Sequence, residues 1–155
     1  MRELDEYDRA ILRTLQRRGR ISHVYLAEEI GLSKTPTQRR VRMLEEAGLI
    51  SHYVAVLDPA ALGLHFCAWV MIRLGKHRAE TVADFLAAVD RNAMITECCL
   101  VTGSADYMIK VHARDIADYR DFMMSDLVKL PGVTEVTTHV VLEEPKKTTS
   151  LPLPR

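Results

Sequence analysis

The densest chemistry in the chain lies between Ser33 and Arg42, where Lys34, Arg39, Arg40 and Arg42 place four positive charges with no acid among them. The whole chain balances 21 Lys and Arg against 21 Asp and Glu, so bulk charge announces no polyanion. A local patch is nevertheless what a phosphate backbone feels. Arg grips a guanine edge through two bonds and Gln suits adenine, and a helix N-terminus beside Lys34 favours phosphate. On a helix turning about 100° per residue, Thr37, Val41, Leu44 and Gly48 share an inward face. Thr35, Arg39, Arg42 and Glu46 lie opposite, with Gln38 and Arg40 on the flanks. The candidate DNA-binding residues are Ser33, Lys34, Thr35, Thr37, Gln38, Arg39, Arg40 and Arg42, with Thr37 facing inward. A helical hairpin with a solvated basic face would show a similar pattern. The patch, however, falls on the helix that geometry would send into the major groove.

A second constellation is Gly103-Ser104-Ala105-Asp106. By itself this is an ordinary hairpin turn. It also offers complementary groups for an α-amino acid: Gly103 lets backbone N–H groups approach a carboxylate, and Asp106 can accept from an ammonium group. The remaining reactive side chains point to little. Cys98 and Cys99 are adjacent and Cys67 is distant, a pattern of buried free thiols without CxxC or HxxxH metal spacing. His23, His52, His65, His77, His112 and His139 are scattered. There is no Ser/His/Asp or Cys/His spacing and no Gly-rich phosphate loop, so we expect neither an enzyme nor a resident cofactor or metal. No apolar run approaches the roughly 18–20 residues of a membrane span, and the start Met1-Arg2-Glu3-Leu4 has no signal-peptide core. The expected location is the cytoplasm.

These groups need elements to position them. Leu4, Tyr7, Ile11 and Leu15 recur at helical spacing, with Asp5 as cap and Asp8 in the first turn. Ser22 can cap a second helix burying Leu26, Ala27 and Ile30. Gly31 breaks it, Leu32 can plug the angle, and Ser33 caps a third helix to about Ala47 with Pro36 in its first turn and Gly48 as its stop. Helix, Gly-Leu-Ser turn, helix is the helix-turn-helix arrangement. Ile50–Leu57 reads as a strand, either a wing or a dimerising arm. From Leu64 the period changes: a strand to Leu74, a helix marked by Val82, Phe85, Leu86 and Val89, strands 94–101 and 107–112, a helix on Ile116, Tyr119, Met123, Leu127 and Leu130, and a strand 133–142. This is the β-α-β-β-α-β order of a ferredoxin-like domain. The expected fold class is α+β: a DNA-binding domain over 1–60, a hinge over 61–67 running into the first strand, a ferredoxin-like ligand-binding and oligomerisation domain over 64–143, and an extended tail over 144–155.

On the first strand the even residues from Leu64 to Leu74 suit a helix-covered core. The odd ones include Cys67, Trp69 and Met71, an apolar patch on the other face that suits an interface, the alternative being irregular packing under the tail or the N-terminal domain. A second subunit stacking its sheet there would bury it, and two recognition helices would then read two half-sites of a near-palindrome.

Several stretches together resemble one family. They are Leu4-Asp5-x-x-Asp8-x-x-Ile11-Leu12-x-x-Leu15-Gln16-x-x-Gly19-Arg20-x-Ser22, Leu26-Ala27-x-x-Ile30-Gly31-Leu32-Ser33-x-Thr35-Pro36, Arg40-Val41-x-x-Leu44-Glu45-x-x-Gly48-Leu49-Ile50, Val101-Thr102-Gly103-Ser104-Ala105-Asp106-Tyr107 and Leu130-Pro131-Gly132-Val133. In that order they resemble the Lrp/AsnC, or feast/famine, transcriptional regulators. The resemblance implies a winged helix-turn-helix joined to an amino-acid-binding domain, control of amino-acid metabolism genes, and dimers that assemble into tetramers, octamers or larger discs. It implies that Thr102, Gly103 and Asp106 form the ligand loop, with Thr134, Thr137 and Thr138 as weaker candidates on the last strand. Thr37 stands where a cysteine is common, and Ala105 where many members carry a bulkier residue. The effector's identity stays open. A ligand-binding oligomer that has lost DNA binding is the other reading, and the intact Lys34–Arg42 surface argues against it.

Overall fold

The computed structural model describes residues 3–75 and 78–154. Met1, Arg2 and His77, which the sequence reading placed in a charged start and among scattered histidines, lie outside the described residues. The chain forms two compact units, one running to Val56 and resuming at Lys146, the other spanning Leu57–Pro145.

The first unit is built on three helices, α1 (Glu6–Arg17), α2 (His23–Ile30) and α3 (Lys34–Glu46). The Asp5 side chain accepts from the Asp8 N–H, and Ser22 accepts from the Tyr25 N–H, so both helices start on satisfied caps. Gly31 ends α2 with φ at 71°, a left-handed conformation that costs a residue without Cβ little. Its N–H bonds Ala27 and Glu28 carbonyls. Ser33 precedes α3 in extended conformation without a side-chain cap bond. Leu4, Ile11, Leu12, Leu26, Val41 and Leu44 form the core, with Leu15, Ile21, Ile30, Ile50 and Leu153 packed against it. Two expectations need correction. Tyr7 does not belong to the buried stripe: it is exposed, and Asp8 takes the inward position. The tail is extended but not separate, because Leu153 reaches the core of this first unit.

Residues 51–57 do not form the expected strand. Val54, Val56 and Leu57 are exposed, and a single strand without a neighbour leaves its backbone groups to water. Tyr53 is tied to α3 by its hydroxyl, which donates to Glu45 at 3.0 Å. Burial, then the Glu45 carboxylate, push this phenol up to about 12.

The second unit runs β1 (Phe66–Leu74), α4 (Ala79–Asp90), β2 (Ile95–Leu100), β3 (Tyr107–Ala113), α5 (Ile116–Ser125) and β4 (Val133–Val140). The strands lie in the order β2-β3-β1-β4 with every neighbouring pair antiparallel, the ferredoxin-like topology that the element order predicts. Alternation along β1 is strict: Phe66, Ala68, Val70, Ile72 and Leu74 are buried, while Cys67, Trp69 and Met71 are half-buried and Arg73 is exposed. Leu64, expected to open this strand, precedes it, and its N–H bonds the Pro59 carbonyl at 2.8 Å. The even face packs with Phe85 and Val89 of α4 and Tyr119 and Phe122 of α5.

Phe85 is fully buried, with its ring 4.8 Å from that of Tyr107. Phe85→Ala should destabilise the second unit by about 3–5 kcal/mol, read as an earlier urea transition in the sheet's circular-dichroism signal. A shift below about 1 kcal/mol would mean that α4 is not clamped to the sheet by this ring.

Candidate nucleic-acid interface and effector cavity

Helix α3 sorts its polar residues by angle. Ser33, Lys34, Thr35, Gln38, Arg39 and Arg42 are exposed on one continuous surface starting at the helix N-terminus. Arg42 Nε donates to Glu46 at 2.7 Å in an exposed pair, which holds the guanidinium only loosely. Two of the eight predicted residues depart from this surface. Thr37 is fully buried, and its hydroxyl donates to the Ser33 carbonyl at 3.0 Å, so it packs and cannot reach a groove.

Arg40 also turns inward. Its Nη1 donates to Asp5 Oδ2 at 2.7 Å and to Asp8 Oδ1 at 2.8 Å, and the guanidinium lies 5.4 Å from the centre of the Tyr7 ring. The Asp8 side chain is only 1% exposed, a burial that a carboxylate tolerates only with a partnered charge. The Asp8 N–H first, and Arg40 after it, hold the Asp5 carboxyl below its ordinary range. The Asp5 carboxylate, aided by Asp8, raises Arg40. Arg40 therefore clamps α3 to α1 and is a positioning residue. Sequence reasoning missed this clamp, although the positions 4, 8, 11, 12 and 15 already place Asp8 on the inward stripe.

In the second unit the turn after β2 is locked onto the central strand. Asp106 Oδ2 accepts from the Leu74 N–H at 2.8 Å, the Asp106 N–H donates to the Ile72 carbonyl, and its own carbonyl accepts from Val101. One oxygen of the predicted ammonium acceptor thus serves the fold. Gly103 holds φ at 119°, which only glycine adopts readily, and Thr102 and Ser104 beside it are exposed. Arg73 donates to the Ser104 carbonyl and pairs with Glu135 at 3.3 Å.

These groups border a cavity of about 300 Å3 lined by Met71, Arg73, Ser104, Ala105, Glu135, Thr137 and His139. Among the three threonines proposed on the last strand, only Thr137 lines it. Thr134 Oγ1 donates to the Arg73 carbonyl at 3.1 Å. Thr138 bonds the Tyr119 hydroxyl on the helix-covered face; as β4 alternates, it cannot share a site with Thr137. Arg73 and Glu135 escaped the sequence reading, and His139 stood there only among the scattered histidines. The pairing that aligns Met71 with Thr137 and Arg73 with Glu135 gathers them.

The open face also holds the predicted interface residues Cys67, Trp69 and Met71. The patch is less bare than expected, because Lys110 Nζ lies 5.2 Å from the Trp69 ring centre and meets Glu144 at 3.2 Å and Glu97 at 3.6 Å. Burial works to lower this lysine, but the Glu144 carboxylate, with smaller help from Cys67 and Glu97, leaves it above its ordinary value. Among the described residues no three His, Cys, Asp or Glu side chains gather as metal ligands, and no helix is long and apolar enough to cross a membrane.

Fold and surfaces together define a DNA-binding regulator carrying its own small-molecule domain. Comparison with known proteins agrees in both units. Residues 4–51 match the winged helix-turn-helix DNA-binding model, and residues 67–151 match the Lrp/AsnC ligand binding domain. The chain is 41% identical over 150 residues to the leucine-responsive regulatory protein of Salmonella typhimurium, covering 97% of this chain and 92% of that one. It is 37% identical to the transcriptional regulator AzlB of Bacillus subtilis, covering 97% and 96%. A transcriptional regulator from Neisseria meningitidis, solved as its complex with L-Met, superposes with a TM-score of 0.93 at 33% identity, covering 97% of each chain. The chain belongs to the Lrp/AsnC family of transcriptional regulators.

Replacing Asp8 by Ala leaves Arg40 with the half-exposed Asp5 alone and should cost the first unit about 1.5–3 kcal/mol, the range for one charged hydrogen bond, measured by thermal melting. Asp5 contributes differently with pH. Its folded pKa lies below the ordinary 3.8, so its stabilisation is complete above that value and fades as pH falls through the lower folded one. Asp5→Asn should therefore flatten the acid end of the melting profile and leave its slope near neutrality unchanged. An unaltered acid limb would show that the Asp5 contact carries no stability.

Proposed function

We propose that the exposed surface of α3 reads the major groove of double-stranded DNA, and that an α-amino acid bound beside the 103–106 turn regulates it. The observation that carries the DNA reading is the sorting of charges on α3. Lys34, Arg39 and Arg42 stand outward beside Thr35 and Gln38, while Arg40 is spent on α1. Ser33 and Lys34 at the helix start suit phosphate, and Gln38, Arg39 and Arg42 suit base edges. A copy pairing across the open face, over Cys67, Trp69 and Met71, would present two such helices to a near-palindromic operator. Dimers then build larger assemblies. The protein works in the cytoplasm on genes of amino-acid metabolism, and binding free energy alone accounts for its action, without catalysis or a resident cofactor.

For the effector, the cavity beside Ser104 and Ala105 has room for a small zwitterion. Arg73 suits its carboxylate together with the backbone N–H groups at Thr102 and Gly103. Glu135 suits its ammonium better than Asp106, whose Oδ2 already serves Leu74. The L-Met held by the Neisseria relative supports this ligand class. Binding shifts the population of assemblies and so the number of half-sites held together.

Arg39→Ala and Arg42→Ala together should abolish specific binding to the protein's own promoter region while assembly and amino-acid binding survive. Lys34→Ala, which removes a phosphate contact, should instead weaken binding to all sequences alike and lower the salt slope by about 1. Arg73→Ala should leave DNA binding intact and remove the response to amino acids. Fluorescence anisotropy and sedimentation across a panel of amino acids read both, and a wild-type protein indifferent to the whole panel would refute sensing.

A further inference from the structure

We propose that residues 146–154 are a brace for the DNA-reading unit: the tip of this arm seats on α1, and α1 in turn holds the recognition helix. Beyond Pro145 the chain belongs to the first unit. There Gln16 grips the backbone of Leu151 from both directions: its Nε2 donates to the Leu151 carbonyl at 3.3 Å and its Oε1 accepts from the Leu151 N–H. Arg9 Nε donates to the Pro154 carbonyl at 3.1 Å. Between these bonds Leu153 packs against the core of the unit, while the Leu151 side chain stays 73% exposed.

A two-way amide grip, a third charge-assisted bond and one apolar anchor make a directional dock, not a chance adhesion. Pro152 and Pro154 restrict the extended shape in advance and so reduce the entropy lost on docking. The docked helix is the one that supplies Asp5 and Asp8 to Arg40. Contacts therefore run without a gap from the arm through α1 to α3, and all of them lie within one unit. An idle tail resting on the surface would leave α3 indifferent to its removal.

The test uses the full-length chain with Leu153→Asp, truncation after Ser150, and Leu151→Asp as the exposed-side-chain control. Amide hydrogen exchange is followed in α1, α3 and β1, and affinity is measured for a duplex carrying the protein's own promoter region at fixed salt. Leu153→Asp and the truncation should speed exchange in α1 and α3 by about tenfold and weaken DNA binding several-fold, with β1 protected throughout and Leu151→Asp silent. Unchanged exchange in α1 and α3, or equal effects from Leu151→Asp and Leu153→Asp, would overturn the brace. So would faster exchange with DNA affinity untouched. If the parent protein ignored the duplex altogether, the DNA-reading function would fall, and the exchange comparison would still decide whether the arm steadies α3.

Discussion

Much of the second unit depends on the parity of β1. This strand is central, paired to β3 on one side and β4 on the other, so the face each residue takes propagates to its neighbours. Even residues meet α4 and α5 and exclude water. Odd residues meet Met108, Lys110 and His112 of β3 and Glu135, Thr137 and His139 of β4. A slip of one residue would exchange these sets, putting Arg73 and Trp69 against the helices and Ile72 in solvent. Lys110 shows how tightly the constraint acts: its cation sits on a partly apolar face with its head against Trp69 and between two carboxylates. The cavity follows from the same parity, since Arg73 and Glu135 meet only because their strands are in this register.

The first unit rests on a different economy, that of a buried charge. Three helices and a small apolar core leave little surplus stability, and an ion pair at the joint between α1 and α3 fixes geometry more surely than it adds free energy. Arg39 and Arg40 are neighbours in sequence and opposite in use. About 100° of helical turn sends one guanidinium toward solvent and the other onto two carboxylates. The recognition surface is thereby defined as much by the cation withdrawn from it as by those left on it.

The sequence announces elements whose causes are local. Apolar periodicity marked the helices, Gly31 and Gly48 their stops, and the change to period two from Leu64 the approach of the sheet, two residues before β1 begins. Those signals sit within a few residues of what they cause. What stayed hidden depends on a distant partner. Asp8 looks like a dipole-compensating acid until Arg40, thirty-two residues on, is placed beside it. Residues 51–57 carry strand composition, but composition cannot supply a neighbouring strand. Thr137 and Thr138 look equivalent until the register puts one at the cavity and the other on Tyr119. The tail, rich in proline and threonine, shows no apolar period, so the docking of Leu153 had no local signature. Family resemblance pointed to the loop at 102–106, but it could not name Arg73 or Glu135, which line the cavity beside that turn.

The return of the chain to its first unit also sets an order of events during synthesis. A ribosome releases α1, α2 and α3 long before Leu153, and everything from Leu57 to Pro145 emerges in between. The early helices can pair as soon as they are free, but their core stays one side chain short until the sheet has been made. Maturation of the first part therefore waits on translation of the second, and a nascent polypeptide stalled before its final residues carries helices whose packing is unfinished.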